Sequence, residues 1–296
     1  MVKDSTREIT ISSEFISAKV STLGAELKSL KDLSFDLEYI YQGDTEFWER
    51  SAPILFPIVG QLKDDKYSLG NKFYNMPKHG FARDNEFEVV EEQKHKVTFR
   101  LGYNAQTLKM YPFKFIFEIT YIVNGPKLHS EIHIFNVDKQ EIYFSFGLHP
   151  AFNIPLREGS LEDYYIEFDE REPKGAYFLD HGFVNFEHQD NRTIFDGRRI
   201  PLSEKLFMND ALIFKDFISS RVSLKNKIDA REVIISTNGC PYLGIWKKPD
   251  APFICIEPWH GVADSVKSDG DFFKKEGIIV LDSSKSFHSE IVIQVN

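Results

Sequence analysis

Residues 113–137 read FKFIFEITYIVNGPKLHSEIHIFNV, two alternating runs joined by a turn cluster. In the first run Phe115, Phe117, Ile119, Tyr121 and Val123 fall at every second position; in the second, Leu128, Ile132 and Ile134 keep that parity, with Ser130 between the first two. A period of two is the spacing of side chains along one face of a strand, so both runs predict strands with one buried face. The rhythm continues outward in both directions. EITISSEFISAKVS, KVTFRLGY, EIYFSFGL, EVIISTN, YLGIWK, FICIE, GIIVLD and SEIVIQV are all β-rich, and they are punctuated by VNGPK, NVDKQ, TNGCP and KKPDAP. Helical signals reduce to single turns near EFWER (46–50) and DALIF (210–214). Strand and helix do not alternate, and there is no Gly-rich phosphate loop or repeat array. The expected architecture is all-β: one large antiparallel sandwich spanning residues 1–296 as a single domain, with 27 phenylalanines to fill the space between its sheets.

The chain has 296 residues, 42% hydrophobic and 27% charged, which is ordinary for a globular protein with a large core. Its net charge of -9 argues against a nucleic-acid surface, which needs concentrated Lys and Arg, while leaving room for a local cationic pocket. No apolar run approaches the ~18 residues of a membrane span, and the N-terminus carries no apolar signal region. A cytoplasmic protein without membrane contact is expected. The two cysteines, Cys240 and Cys255, have hydrophobic neighbours and read as buried reduced thiols.

Chemistry concentrates in a few places. In FSFGLHPAFNIP, residues 144–155, Phe144, Phe146 and Leu148 share one strand face, and Ser145, Gly147 and His149 share the other. A residue before proline is pushed toward extended geometry, so His149 is expected as the last strand residue, at a rim. It is either a hydrogen-bonded strand-end histidine or a titratable group facing a ligand. FICIEPW, residues 253–259, repeats that grammar: Glu257 is again expected to be strand-final before a proline, facing the same way as Phe253 and Cys255. Beside Trp259 its carboxylate should be partly desolvated, with a raised pKa that makes it a better base near neutrality; the alternative is a salt-bridged rim glutamate. MPKHGFARD places His79 and Arg83 in a loop. Arg50 precedes the apolar run APILFPIVG and is either solvent-facing or a contact to substrate oxygens. Asp210, in MNDALIF, is a turn cap or a polar contact. Trp48, Trp246 and Trp259 offer flat faces for a sugar ring or serve as core. His129, Glu131 and His133 alternate on one strand face, where solvated side chains are a simpler reading than a metal site. No G-x-S-x-G or Cys/His signature points to a hydrolase, and the histidine–glutamate pair differs from the two carboxylates of a glycosidase.

Taken together, LFPIVG after Arg50, HGFAR with His79 and Arg83, HPAFN with His149, NDALIF with Asp210 and IEPW with Glu257 resemble, across essentially the whole chain, the aldose 1-epimerase (galactose mutarotase-like) family, most closely its LacX-like branch. The resemblance implies a β-supersandwich and interconversion of the α and β anomers of an aldose without metal or organic cofactor. It implies His149 as general acid on the ring oxygen and Glu257 as general base on the anomeric hydroxyl. His79 would hold the reacting oxygens and Asp210 the ring hydroxyls. The chain departs from typical galactose mutarotases in having Phe81 after His79-Gly80, Pro150-Ala151 after His149, and Gln61 where many relatives carry a basic residue. HGFAR also resembles the hexose-6-phosphate 1-epimerase branch, where Arg50 and Arg83 would meet a phosphate. The expected partner is thus a small-molecule aldose or aldose phosphate. A noncatalytic carbohydrate-binding sandwich is the rival reading, disfavoured by the joint presence of His149 and Glu257.

Overall fold

The computed structural model describes residues 6–190, 196–237 and 239–296. The opening stretch forms the strands Phe115–Asn124 and Lys127–Asn136, paired antiparallel from end to end. Their even-spaced apolar residues are buried as the alternation requires, with Ser130 and Asn136 on the same inner face. They lie in a nine-stranded antiparallel sheet that runs, in spatial order, Arg199–Pro201, Tyr164–Phe168, Arg221–Asn226, Glu232–Ser236, Ser286–Val295, Lys127–Asn136, Phe115–Asn124, Lys96–Gly102 and Glu88–Gln93.

A second sheet runs Phe183–Asp190, Ala176–Asp180, Leu212–Lys215, Tyr242–Trp246, Phe253–His260, Phe146–Leu148 and Ile54–Leu55, with Ala151–Asn153 also pairing to Phe253–His260. One face of each sheet feeds a common core: Phe117, Ile132 and Ile293 from the first meet Leu243, Ile245 and Ile256 from the second. Phe56 sits among the rings of Phe81, Tyr111, Phe115, Phe117 and Phe144, whose centroids lie 5.0–6.2 Å from its own. A four-stranded N-terminal sheet, Glu8–Ser12, Ile16–Ser21, Leu27–Asp32 and Leu37–Glu38, adds Ile11, Val20 and Leu30 to the same core. This is the all-β antiparallel sandwich that the alternation predicts.

EFWER does contain a turn, closed by Trp48 N donating to Asp44 O at 2.8 Å. DALIF is not helical: a 3-10 turn covers Glu204–Phe207, and Leu212–Lys215 is a strand whose side chains alternate between core and cavity. Glu257 is not strand-final, because Phe253–His260 continues through Pro258. Ile256 N donates to Pro150 O at 3.3 Å, so the Pro258 nitrogen, two residues on, points toward the same neighbour and breaks the ladder on that side only. The trio on Lys127–Asn136 is dispersed: His129 Nδ1 meets Glu290 at 2.7 Å, while His133 packs on His288. Cys240 and Cys255 are free, buried thiols as expected.

The loop carrying His79 is pinned by close backbone approach. Gly80 has φ +74°, and a Cβ there would lie 2.2 Å from Phe56 O, against backbone that has no room to retreat. Gly80→Ala is therefore expected to lower unfolding stability by about 1–3 kcal/mol or more, read as a lower denaturant midpoint at unchanged slope. A midpoint equal to wild type would show that the loop is free to move.

Candidate active site

Strands Phe146–Leu148 and Ala151–Asn153 both pair with Phe253–His260, and the register is the same on either side of the break between them: Gly147 faces Trp259 and Ala151 faces Cys255. The intervening His149 is consequently opposite Glu257. His149 N donates the other way, to Pro53 O at 3.2 Å, so His149 and Glu257 form a non-hydrogen-bonded cross-strand pair, the kind whose side chains approach most closely. His149 Nε2 lies 3.2 Å from Glu257 Oε2. The two X-Pro dipeptides are thus cross-strand neighbours at the middle of a sheet.

This sheet face is the floor of an open cleft with a cavity volume of about 190 Å³. The row continues from Glu257 to Gly244 and Ile213 on the next two strands. Glycines make the space: a Cβ on Gly147 or Gly244 would lie 2.4 Å from the Trp259 ring. Trp48 covers His149 at 4.9 Å between ring centroids, and Trp246 stands edge-on to it at 5.8 Å. All three tryptophans of the chain line the cleft, together with His79, Arg83, His149, Asp210 and Glu257.

Arg50 is the candidate that the structure keeps out of the cleft lining. Its guanidinium binds Asp84 and donates to Arg83 O at 3.0 Å, with Glu26 at 3.7 Å, so it clamps the loop that presents Arg83. Arg83 donates to Lys78 O at 2.9 Å, while its Nε is buried without a hydrogen-bond partner. Lys78, overlooked in the sequence because it reads as an ordinary loop lysine, lines the cleft beside them. Gln61, noted above for replacing a basic residue, and Leu179, Gly182, Val262 and Ala263 also line the walls.

Glu257 is 1% exposed and His149 7%. Burial raises the Glu257 pKa well above the usual carboxylate range, and Asp210 adds to the rise; Lys78 and the Trp259 indole oppose it. Burial pushes the His149 pKa down to about 3, assisted by the cations Lys78 and Arg83. Both shifts favour the neutral forms, a protonated carboxyl beside an unprotonated imidazole. His79 is likewise held well below its normal pKa by burial, then by His149, Lys78 and Arg83. Its Nδ1 accepts from Gly60 N at 3.1 Å, which leaves Nε2 as the nitrogen that carries the proton. Cys255 offers a thiol near His149 and Glu257, with ligand atoms all within 4.8 Å of one another. Burial and then Glu257 push that thiol well up, which disfavours the thiolate a metal would need.

Residues 7–279 match the family model for aldose 1-epimerase. The chromosomal protein LacX of Lactococcus lactis subsp. lactis is 32% identical over 303 residues, covering 96% of this chain and 99% of that protein. A galactose mutarotase related enzyme from Lactobacillus acidophilus has a similar structure, with a TM-score of 0.92 at 33% identity over 98% of this chain and 97% of the other. A galactose mutarotase-like protein from Lactobacillus casei gives 0.90 at 30% identity, over 98% and 100%. The chain belongs to the aldose 1-epimerase family, as an isomerase of the mutarotase type on the LacX-like branch.

Proposed function

We propose that the protein interconverts the α and β anomers of an aldohexose, with His149 and Glu257 as the proton-transfer pair. The observation that carries this reading is their cross-strand contact of 3.2 Å at the floor of a tryptophan-lined cleft. Direct contact suits a sugar that lies over the pair rather than between its members. C1 of an aldopyranose carries two oxygens, O1 and the ring oxygen, and two adjacent proton-transfer groups match two oxygens on one carbon. Glu257 takes the O1 proton while His149 delivers one to the ring oxygen, and the ring opens to the aldehyde. Rotation about C1–C2 and reclosure, with each proton returned, produces the other anomer. Ring opening starts from imidazolium and carboxylate and leaves imidazole and carboxylic acid; reclosure runs the reverse. Each turnover therefore visits both one-proton forms of the pair, which differ only in which side of the 3.2 Å contact holds the proton. His79 Nε2–H is a donor for a sugar oxygen, and Asp210 an acceptor for hydroxyls.

Lys78 and Arg83 on the cleft wall favour a second reading of the substrate, an aldose phosphate, because an anionic substituent would pair with these cations. Polarimetry of fresh α-glucose, α-galactose and glucose 6-phosphate separates the substrates. Glu257→Gln and His149→Asn should each reduce kcat by about 10²–10⁴-fold. Lys78→Ala should raise KM for the phosphorylated sugar more than for the neutral ones if the phosphate is the natural group. Identical relaxation of every sugar with wild type, with either variant and without protein would refute the acid–base assignment.

The pH profile follows from the same shifts. The pair gains a second proton only as pH falls toward about 3, where His149 is protonated. It loses its single proton only above the raised Glu257 pKa. The log of kcat/KM should therefore lose its acid limb only toward pH ~3 and fall again above the raised Glu257 pKa, with no acid limb centred at pH ~6.5, where a free imidazole titrates. An inflection of full amplitude at that pH would contradict the buried-pair account.

A further inference from the structure

Behind the cleft wall made by Gly60, Gln61, Val262 and Ala263 lies a second buried ionic pair with no access to the sugar. Lys275 Nζ is 3.2 Å from Asp264 Oδ1, and the two side chains are 2% and 4% exposed. Desolvating such a pair offsets its attraction, so as a source of stability it has no advantage over an apolar pair of the same volume. Its distinction is the set of backbone groups that it gathers. Lys275 Nζ donates to Val262 O at 2.6 Å, and Asp264 Oδ2 accepts from Lys63 N at 3.0 Å. The Asp264 backbone donates to Gln61 O and accepts from Val184 N, both at 2.9 Å. Three separate stretches of chain, around Gly60–Lys63, Val262–Asp264 and Val184, are thereby fixed to one another.

The fixed wall reaches His79 through Gly60. A Cβ on Gly60 would sit 2.4 Å from Ala263 Cβ and 2.6 Å from its Cα, so the two backbones are in contact and move together. Gly60 N donates to His79 Nδ1 at 3.1 Å, and His79 N donates back to Gly60 O at 2.8 Å. We infer that Asp264 and Lys275 are positioning residues for the sugar site: by locking the Gly60 segment against Ala263, they hold the His79 ring in its Nε2–H tautomer and in place over the reacting oxygens. The inference rests on the proposed function in taking His79 as a substrate contact. An apolar replacement could fill the same volume, but it could not bind Val262 O and Lys63 N.

The test compares single and double variants in the full-length protein. Asp264→Asn and Lys275→Met each strand a buried group and should lower Tm; Lys275→Arg keeps the charge and should retain most of the activity. The double variant Asp264→Leu with Lys275→Met removes both charges, and Tm should recover toward wild type. Its kcat/KM for anomer exchange should nevertheless stay down by about 10–100-fold, the scale of a small misplacement in a site. Side-chain ¹⁵N spectra should show one neutral tautomer, Nε2–H, for His79 in wild type and a mixture in the double variant. A double variant with wild-type kcat/KM, or with His79 unchanged in its spectra, would overturn the inference. Because the spectra need no turnover, they decide the His79 tautomer even if no sugar is epimerised. Absence of turnover in wild type would count against the proposed function instead.

Discussion

The site depends on a matter of sheet register: His149 stands directly across from Glu257, between Gly147 facing Trp259 and Ala151 facing Cys255. A slip of one residue would turn the imidazole from the cleft face to the core face, among Phe146 and Phe152. The core specifies against that slip, because Ile254 and Ile256 on one strand and Phe146 and Phe152 on the other must all point inward. Pro150 and Pro258 each remove a backbone donor from the stretch between the two anchored ends. The ladder is therefore loosest where the side chains do their work, while the flanking pairs hold its register.

Burial then decides the protonation chemistry. At an effective dielectric constant of ~20, two unit charges 3.2 Å apart attract by about 5 kcal/mol, whereas desolvating each ion costs several kcal/mol. The two terms are of similar size with the balance toward neutrality, which is why Glu257 shifts up and His149 down. Near-balance suits a pair that must alternate between its one-proton forms. Lys78 and Arg83 tilt it: their charge disfavours imidazolium, while that of Lys78 favours the carboxylate. The loop that carries these two cations and His79 is clamped by Arg50 at one end and by Gly80 against Phe56 at the other.

The fold was readable because alternation is a local signal; Phe115 to Val123 betray their strand without any knowledge of their partners. His149 and Glu257 were legible as a repeated histidine-proline and glutamate-proline grammar, and family resemblance assigned them roles. Their contact was not legible, since register arises from pairing between segments more than a hundred residues apart. For the same reason Glu257 was misplaced at a strand end: Pro258 removes only the donor on the side facing Leu148, and the strand stays paired to Tyr242–Trp246 on its other side. Arg50 looked like a substrate contact because an arginine beside an apolar run has no visible partner, yet Glu26 and Asp84 supply two. Lys78 and Gly60 sit inside the motifs MPKHGFARD and LFPIVG without standing out in them, and the wall that Gly60 forms with Ala263 becomes visible only when the loops converge.

If the cross-strand pair works as one proton-transfer unit, removing either member should already forfeit what both supply. The most direct measurement is a double-mutant cycle on kcat for anomer exchange, comparing His149→Asn, Glu257→Gln and the two together. The account predicts that the double variant is about as slow as the slower single variant, within a few-fold. Losses that multiply, so that the double variant falls by the product of the two single effects, would show that His149 and Glu257 act independently and would contradict the account.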